Sequence, residues 1–266
     1  MLEIAGSIAA VCIGLTLGLI GAGGSILTIP VLVYMMGVSP VPATAYSLFV
    51  VGLTALAGSM TYMKRRLISY RTAVMFAVPA FLGVFAARRF ILPAIPREIV
   101  QVGGVLVTKD LAVMVFFAML MLMASVSMIR KGKMYAEGQA MKFNYPLILV
   151  EGLVVGVVTG LVGAGGGFLI IPALVVLAKL PMKVAVGTSL LIIAVKSLLG
   201  FTGDVGTMSI DWLFLFKFSI FTVAGIVVGS YVARFISAVK LKPAFGWFTL
   251  SMGVYIIARE LLGHSS

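Results

Sequence analysis

Residues Gly160 to Val175 read GLVGAGGGFLIIPALV, with five glycines in the first eight positions followed by branched apolar residues around a proline. Residues Gly18 to Val33 read GLIGAGGSILTIPVLV and match that stretch at eleven of sixteen positions, at a constant offset of 142. The correspondence continues without a gap: Ala43 pairs with Ala185, Ser47 with Ser189, Leu48 with Leu190, Leu56 with Leu198 and Gly58 with Gly200. Scattered identities between apolar segments mean little, but an ungapped run carrying GLxGAGGxxLxIPxLV is the mark of an internal duplication. The chain therefore divides into a first repeat, 1–129, and a second, 144–266, joined by a polar linker, 130–143, within RKGKMYAEGQAMKFN.

Both copies lie in a very apolar chain. Of 266 residues, 62% are hydrophobic and 11% charged, and the mean hydropathy is +1.20, too much apolar surface for a water-soluble domain. Long apolar runs recur at Ala43 to Met63, Thr72 to Ala87, Leu111 to Ile129, Tyr145 to Leu161, Val184 to Gly203, Trp212 to Ala233 and Ala244 to Leu262. They are continuous rather than alternating, so they read as membrane helices and not barrel strands. The expected fold is an all-α polytopic membrane protein of two homologous halves, with about eight full spans plus Gly-broken short segments. MLEIAGSIAAVCIG at the N-terminus carries no basic leader and reads as the first membrane segment.

The net charge of +12 comes from cations in short loops, which is a topology signal and not a nucleic-acid surface. If each Gly-motif segment crossed the bilayer once, the loops on the two sides would carry nine Lys/Arg each. If the chain instead turns at each Gly motif, thirteen cations share one side against five on the other. The second arrangement follows the positive-inside rule. It gives five segments per half, an odd number, and so predicts inverted repeats with both termini outside and the linker in the cytoplasm. In this reading Arg88 belongs to an outer loop running to Asp110.

Short, Gly-broken segments at matching places in inverted repeats point to a substrate site. The segments after the turns, Ile26 to Met36 and Phe168 to Ala178, are too short to span alone. A Gly-rich turn opening such a helix offers free N–H groups and the positive end of a dipole to an anion. Gly21, Gly23, Gly24 and Ser25 in the first copy, and Gly163, Gly165, Gly166 and Gly167 in the second, are the candidate binding turns. Gly152, Gly156 and Gly160, with Ala10, Gly14 and Gly18, recur every four residues and read as helix-packing stripes.

Polar residues inside the spans are few. Ser47, Thr188, Ser189 and Lys196 are candidate substrate contacts. Lys196 is placed near mid-bilayer, where an ammonium costs at least about 2.5 kcal/mol and needs a negative partner. That partner is either the substrate or Glu151, which is also the candidate coupling residue. No cofactor or metal is expected: Cys12 is the single cysteine, His264 the single histidine, and neither HExxH nor GxSxG occurs. The expected partners are a small anion and the lipid bilayer of the cell membrane, with no nucleic acid and with a homo-oligomer left open. A passive anion channel built on the same Gly turns is the competing reading.

GLIGAGGSILTIPVL, EGLVVGVVTGLVGAGGGFLIIPALV and AVGTSLLIIAVKSLLGF resemble the signature stretches of the sulfite exporter TauE/SafE family over essentially the whole chain. The resemblance implies a four-plus-four-segment secondary transporter for sulfite, sulfoacetate or a related sulfur-containing anion. Two places depart from a strict repeat. Ser25 stands where the second half has Gly167, and Ala45-Tyr46-Ser47 stands where it has Gly187-Thr188-Ser189.

Overall fold

The computed structural model describes the chain apart from residues 1, 22–23, 103–104, 130–144, 177–179, 234–237 and 264–266. Gly23 and the linker 130–143 thus lie outside the described residues. The first repeat consists of α1 (Leu2–Ile20), α2 (Ser25–Pro30) continued by a π-helical turn Val31–Met35, α3 (Pro40–Lys64), and α4 (Tyr70–Ala86) continued by a π-helical turn Ala87–Ile91. A short α5 (Leu92–Ala94), an antiparallel hairpin of β1 (Glu98–Val102) and β2 (Val105–Thr108), and α6 (Lys109–Ile129) complete it. The second repeat has α7 (Tyr145–Val162), α8 (Gly167–Val176), α9 (Met182–Phe201), α10 (Trp212–Val232) and α11 (Ala238–Gly263).

Among the described residues five helices are long and apolar enough to cross a membrane: α3, α4 with its extension, α6, α9 and α10. The Gly motifs break the helices where the sequence places the turns. The α1 helix stops at Ile20 and α7 at Val162, and the helices that follow are short and apolar. The β-hairpin has no equivalent among the described residues of the second repeat, and it departs from the expected all-α fold.

The duplication extends to individual hydrogen bonds. Gly21 N–H donates to Leu17 O at 2.8 Å and Gly163 N–H to Thr159 O at 2.7 Å. Val38 N–H donates to Leu32 O at 2.9 Å and Leu180 N–H to Leu174 O at 3.1 Å, closing α2 and α8 in the same way. The helix contacts are also exchanged between repeats: α1 packs on α10 as α7 packs on α4, and α10 on α3 as α4 on α9. The counterparts α3 and α9 pack on each other, as do α6 and α11.

Neighbouring residues give the helix directions. On α3 and α9, Gly52 lies against Leu198, Gly58 against Leu190 and Tyr62 against Gly187, so these two counterparts run in opposite directions. The glycine stripes make the parallel contacts. Gly14 lies on Thr222, and Gly18 on Ile226 and Ser230; Gly152, Gly156 and Gly160 lie on Phe76, Ala80 and Val84. A Cβ at Gly14 or Gly156 would overlap the backbone of the facing helix, which is the close approach small residues permit.

Candidate functional site

The turn between α7 and α8 is held in a conformation that glycine permits. Gly163, Gly165 and Gly166 have φ of +75°, +63° and +67°, in the left-handed region where a side chain is strained. All three are buried. Gly163 rests on the backbone of Thr44 at the start of α3, Gly165 faces Val51 and Ser25, and Gly166 faces Thr159 and the Lys196 ammonium. The second repeat's turn is therefore enclosed by α3 and α2 of the first repeat and by its own α9.

Thr44, Ser47 and Val51 share one face of α3, because positions three and seven apart stack on a helix. Ser47 sits between the two residues that touch the turn. It is fully buried and its hydroxyl has no hydrogen-bond partner. From the other side, Lys196 on α9 is fully buried and its Nζ donates to Thr159 Oγ1 at 2.8 Å. Thr159 Oγ1 donates in turn to Gly156 O at 3.3 Å. An ammonium has three N–H donors. Among the described residues Lys196 has this one partner and no carboxylate within salt-bridge distance.

Of the two partners the sequence leaves open for Lys196, Glu151 is not the one the fold supplies. It lies eight residues before Thr159 on α7, about 12 Å along the axis, and its Oε2 is buried without a partner. Thr188 also lies apart from the turn: its Oγ1 accepts the Ser69 N–H at 3.0 Å, bracing the α3–α4 connection. Its counterpart Tyr46 does the same in the other half, where its hydroxyl accepts the Asp211 N–H at 2.9 Å. Ser189 donates to Val186 O of its own helix at 2.8 Å.

The first repeat's turn is built differently. Gly21 has φ +80° and faces the side chain of Val186, the counterpart of Thr44. Gly24 is right-handed helical, with φ −63° and ψ −24°, and rests on the α1 backbone at Ile13 and Leu17. Ser25 and Gly167 begin α2 and α8, and both are buried. In the place of Lys196 stands Thr54, which donates to Val50 O and shares a 2.6 Å hydrogen bond with Thr222. The structure thus gathers Ser25, Ser47, Gly163, Gly165, Gly166 and Lys196 around one turn.

Arg88 is a correction to the sequence reading. Instead of lying in an outer loop it falls in the π-helical turn that extends α4, with its side chain fully buried. Its Nε donates to Asp204 Oδ2 at 2.7 Å and its Nη1 to Thr44 Oγ1 at 2.9 Å, while Nη2 is buried without a partner. Burial raises the Asp204 carboxyl from its ordinary value, and the charge and hydrogen bond of Arg88 act in the opposite direction. Sequence reasoning missed Arg88, Asp204 and Thr159. The available signal was Asp204 itself, an acid ending the GFTGD stretch that directly follows the second repeat's motif.

An apolar groove between α4 and α9, lined by Ala73, Ala77, Val78, Leu191 and Val195, contains none of these polar groups. Among the described residues no cluster of three or more His, Cys, Asp or Glu could hold a metal ion.

A family model described as Sulfite exporter TauE/SafE matches residues 7–256. A "Probable membrane transporter protein" of Xylella fastidiosa (strain 9a5c) is 28% identical over 254 residues, covering 93% of this chain and 92% of the relative. The "Probable membrane transporter protein YunE" of Bacillus subtilis (strain 168) is 26% identical over 224 residues, 74% of this chain and 76% of the relative. No solved structure gives a significant match.

Proposed function

Since the chain belongs to the sulfite exporter TauE/SafE family of membrane transporters, we propose that it is a secondary transporter that moves a small sulfur-containing anion across the cell membrane by alternating access. Sulfite, sulfoacetate and other organosulfonates are the substrate class. The observation that carries this reading is Lys196, a fully buried ammonium beside a Gly turn with a neutral hydroxyl as its partner. Such a charge calls for a negative ligand. The unpaired hydroxyl of Ser47 and the N–H groups of the turn supply the polar contacts an oxyanion accepts.

Two inverted repeats are part of the proposal, with α1–α2 and α7–α8 as hairpins that turn inside the membrane. The opposite directions of α3 and α9 support it, as does the length of α8, whose 10 residues are too few to span. Cysteines introduced at Arg66 and Thr207, equivalent connections of the two repeats, should then label from opposite sides of the membrane. Labelling from the same side overturns the inverted arrangement.

Transport is tested in proteoliposomes with sulfite, sulfoacetate and isethionate, against sulfate and chloride. Saturable flux with accumulation against a gradient is expected of a carrier. Flux that never exceeds equilibration would instead favour the channel reading. No flux of any sulfur anion defeats the proposal.

A further inference from the structure

The buried pair of Arg88 and Asp204 joins the two repeats at one end of the bundle. Arg88 comes from the end of α4, Asp204 from the turn after α9, and Thr44, which receives the Arg88 Nη1 hydrogen bond, from the start of α3. Thr44 in turn carries the Gly163 turn on its backbone, and the Arg88 side chain packs beside Gly203. Asp204 follows Lys196 by eight residues in a chain that keeps turning after α9, with Asp204 N–H on Phe201 O at 2.9 Å. The pair therefore stands one step beyond the Lys196 site, toward the end that the proposed topology places outside.

This is the one ion pair among the described residues, and the duplication has no equivalent of it. At the matching positions of the other half stand Ser230, Tyr62 and Val186, none of them charged. Any movement of the α9–α10 connection relative to α4 parts Arg88 from Asp204. Parting a buried ion pair strands two charges, which is strongly destabilising unless each gains a new partner. For a guanidinium the available partner is the transported anion, and Nη2 already lies buried with nothing to donate to. For a carboxylate it is a proton.

We propose that Arg88 and Asp204 are the coupling pair of this transporter: the anion displaces the Asp204 carboxylate from Arg88, and Asp204 takes up one proton from the adjoining aqueous phase. One anion and one proton are then held where one ion pair stood, and the net charge of the pair with a monovalent anion is unchanged. Arg88 is the charged group acting on Asp204, Arg88 and Arg97 both act on Lys109 at the start of α6, and Asp110 beside it accepts the Val41 N–H. Burial holds Asp204 in a setting that favours its neutral form once Arg88 is withdrawn. The inference rests on the anion-transport reading above and assigns the coupling to Asp204 in place of Glu151.

The test uses the full chain in proteoliposomes with isethionate, a monovalent sulfonate, and a one-unit pH gradient, acid outside. If only sulfite moves, the same measurement is made at pH values acidic enough for it to be the monovalent bisulfite on both sides. Wild type should accumulate the anion about tenfold, the equilibrium value for one proton per anion, with matching proton entry. Asp204→Asn should lower the accumulation to about onefold while downhill exchange persists. Glu151→Gln should keep the gradient-driven accumulation. If Asp204→Asn proves unstable, Arg88→Gln with Asp204→Asn removes both charges together and should show the same loss of accumulation. Gradient-driven accumulation in either Asp204 variant, its loss in Glu151→Gln alone, or wild-type flux without proton entry overturns the proposal and leaves anion transport standing. Absence of any sulfur-anion flux in wild type is the separate failure of the transport reading itself.

Discussion

Lys196 of the second repeat and Thr54 of the first occupy the same place in duplicated helices, and they meet different neighbours. Thr54 forms a closed neutral pair with Thr222 on α10. Lys196 reaches Thr159 on α7 and the adjacent Gly166, and its remaining donors find no acid among the described residues. The same contrast recurs at one end of the bundle, where Arg88, Asp204 and Thr44 correspond to Ser230, Tyr62 and Val186. The backbone frame is shared, down to the matched hydrogen bonds of Thr188 and Tyr46 across the connections. Duplication thus supplied a symmetric scaffold, and charge was placed on one side of it. The second turn is the binding half in this reading, and the first is its structural twin.

The largest effect expected from that contrast is at Lys196. Lys196→Gln should lower anion flux about 10- to 150-fold, from loss of a charge-assisted contact worth about 1.5–3 kcal/mol. Thr54→Val should change flux less than about threefold, since it removes only a neutral bond. Thermal melting in detergent without anion should be unchanged or raised by Lys196→Gln, because the change removes a buried charge that has no acid partner. A fall in stability that Glu151→Gln restores would instead tie the lysine to Glu151.

Next in size are the turns. Gly163→Ala adds a Cβ where φ is +75° and where the atom would overlap the Thr44 backbone, which cannot move aside. Its cost should be about 2–4 kcal/mol, read as a lower melting temperature and lost flux. Gly21→Ala meets the same strain at φ +80° but only the side chain of Val186. It should cost about 1–2 kcal/mol, and Val186→Ala should relieve part of that. Equal and unrelievable costs at the two glycines would erase the distinction between the turns.

The smallest effects test the symmetric frame. Tyr46→Phe and Thr188→Val each remove one acceptor from a connecting-loop N–H, and each should cost about 1 kcal/mol with little change in flux at saturating anion. A selective loss of anion affinity in Thr188→Val would return Thr188 to the binding site.

Much of this was legible before any coordinates. The 142-residue offset, the glycine turns, the four-residue packing stripes and the apolar runs are local patterns, and each follows from chain chemistry that does not depend on distant partners. The turn positions at Ile20 and Val162, and the glycines with positive φ, are where the motif requires them. Lys196 could be singled out because a lysine inside an apolar run carries a cost wherever the run packs.

What pairs with what was decided only by the tertiary structure. Lys196 and Thr159 are 37 residues apart, and Arg88 and Asp204 are 116 apart, so no spacing rule links them. Hydropathy put Arg88 outside because its neighbours Arg89 and Arg97 read as a charged loop, whereas the continuation of α4 by a π-helical turn carries its side chain into the protein. The opposite directions of α3 and α9 likewise follow from packing faces that the sequence of either helix contains but does not orient. Composition and periodicity determine which segments enter the membrane and where they break. Which buried charge meets a partner is settled when helices from two repeats close on each other, because the cost of an unpaired ion depends on groups that are distant in the chain.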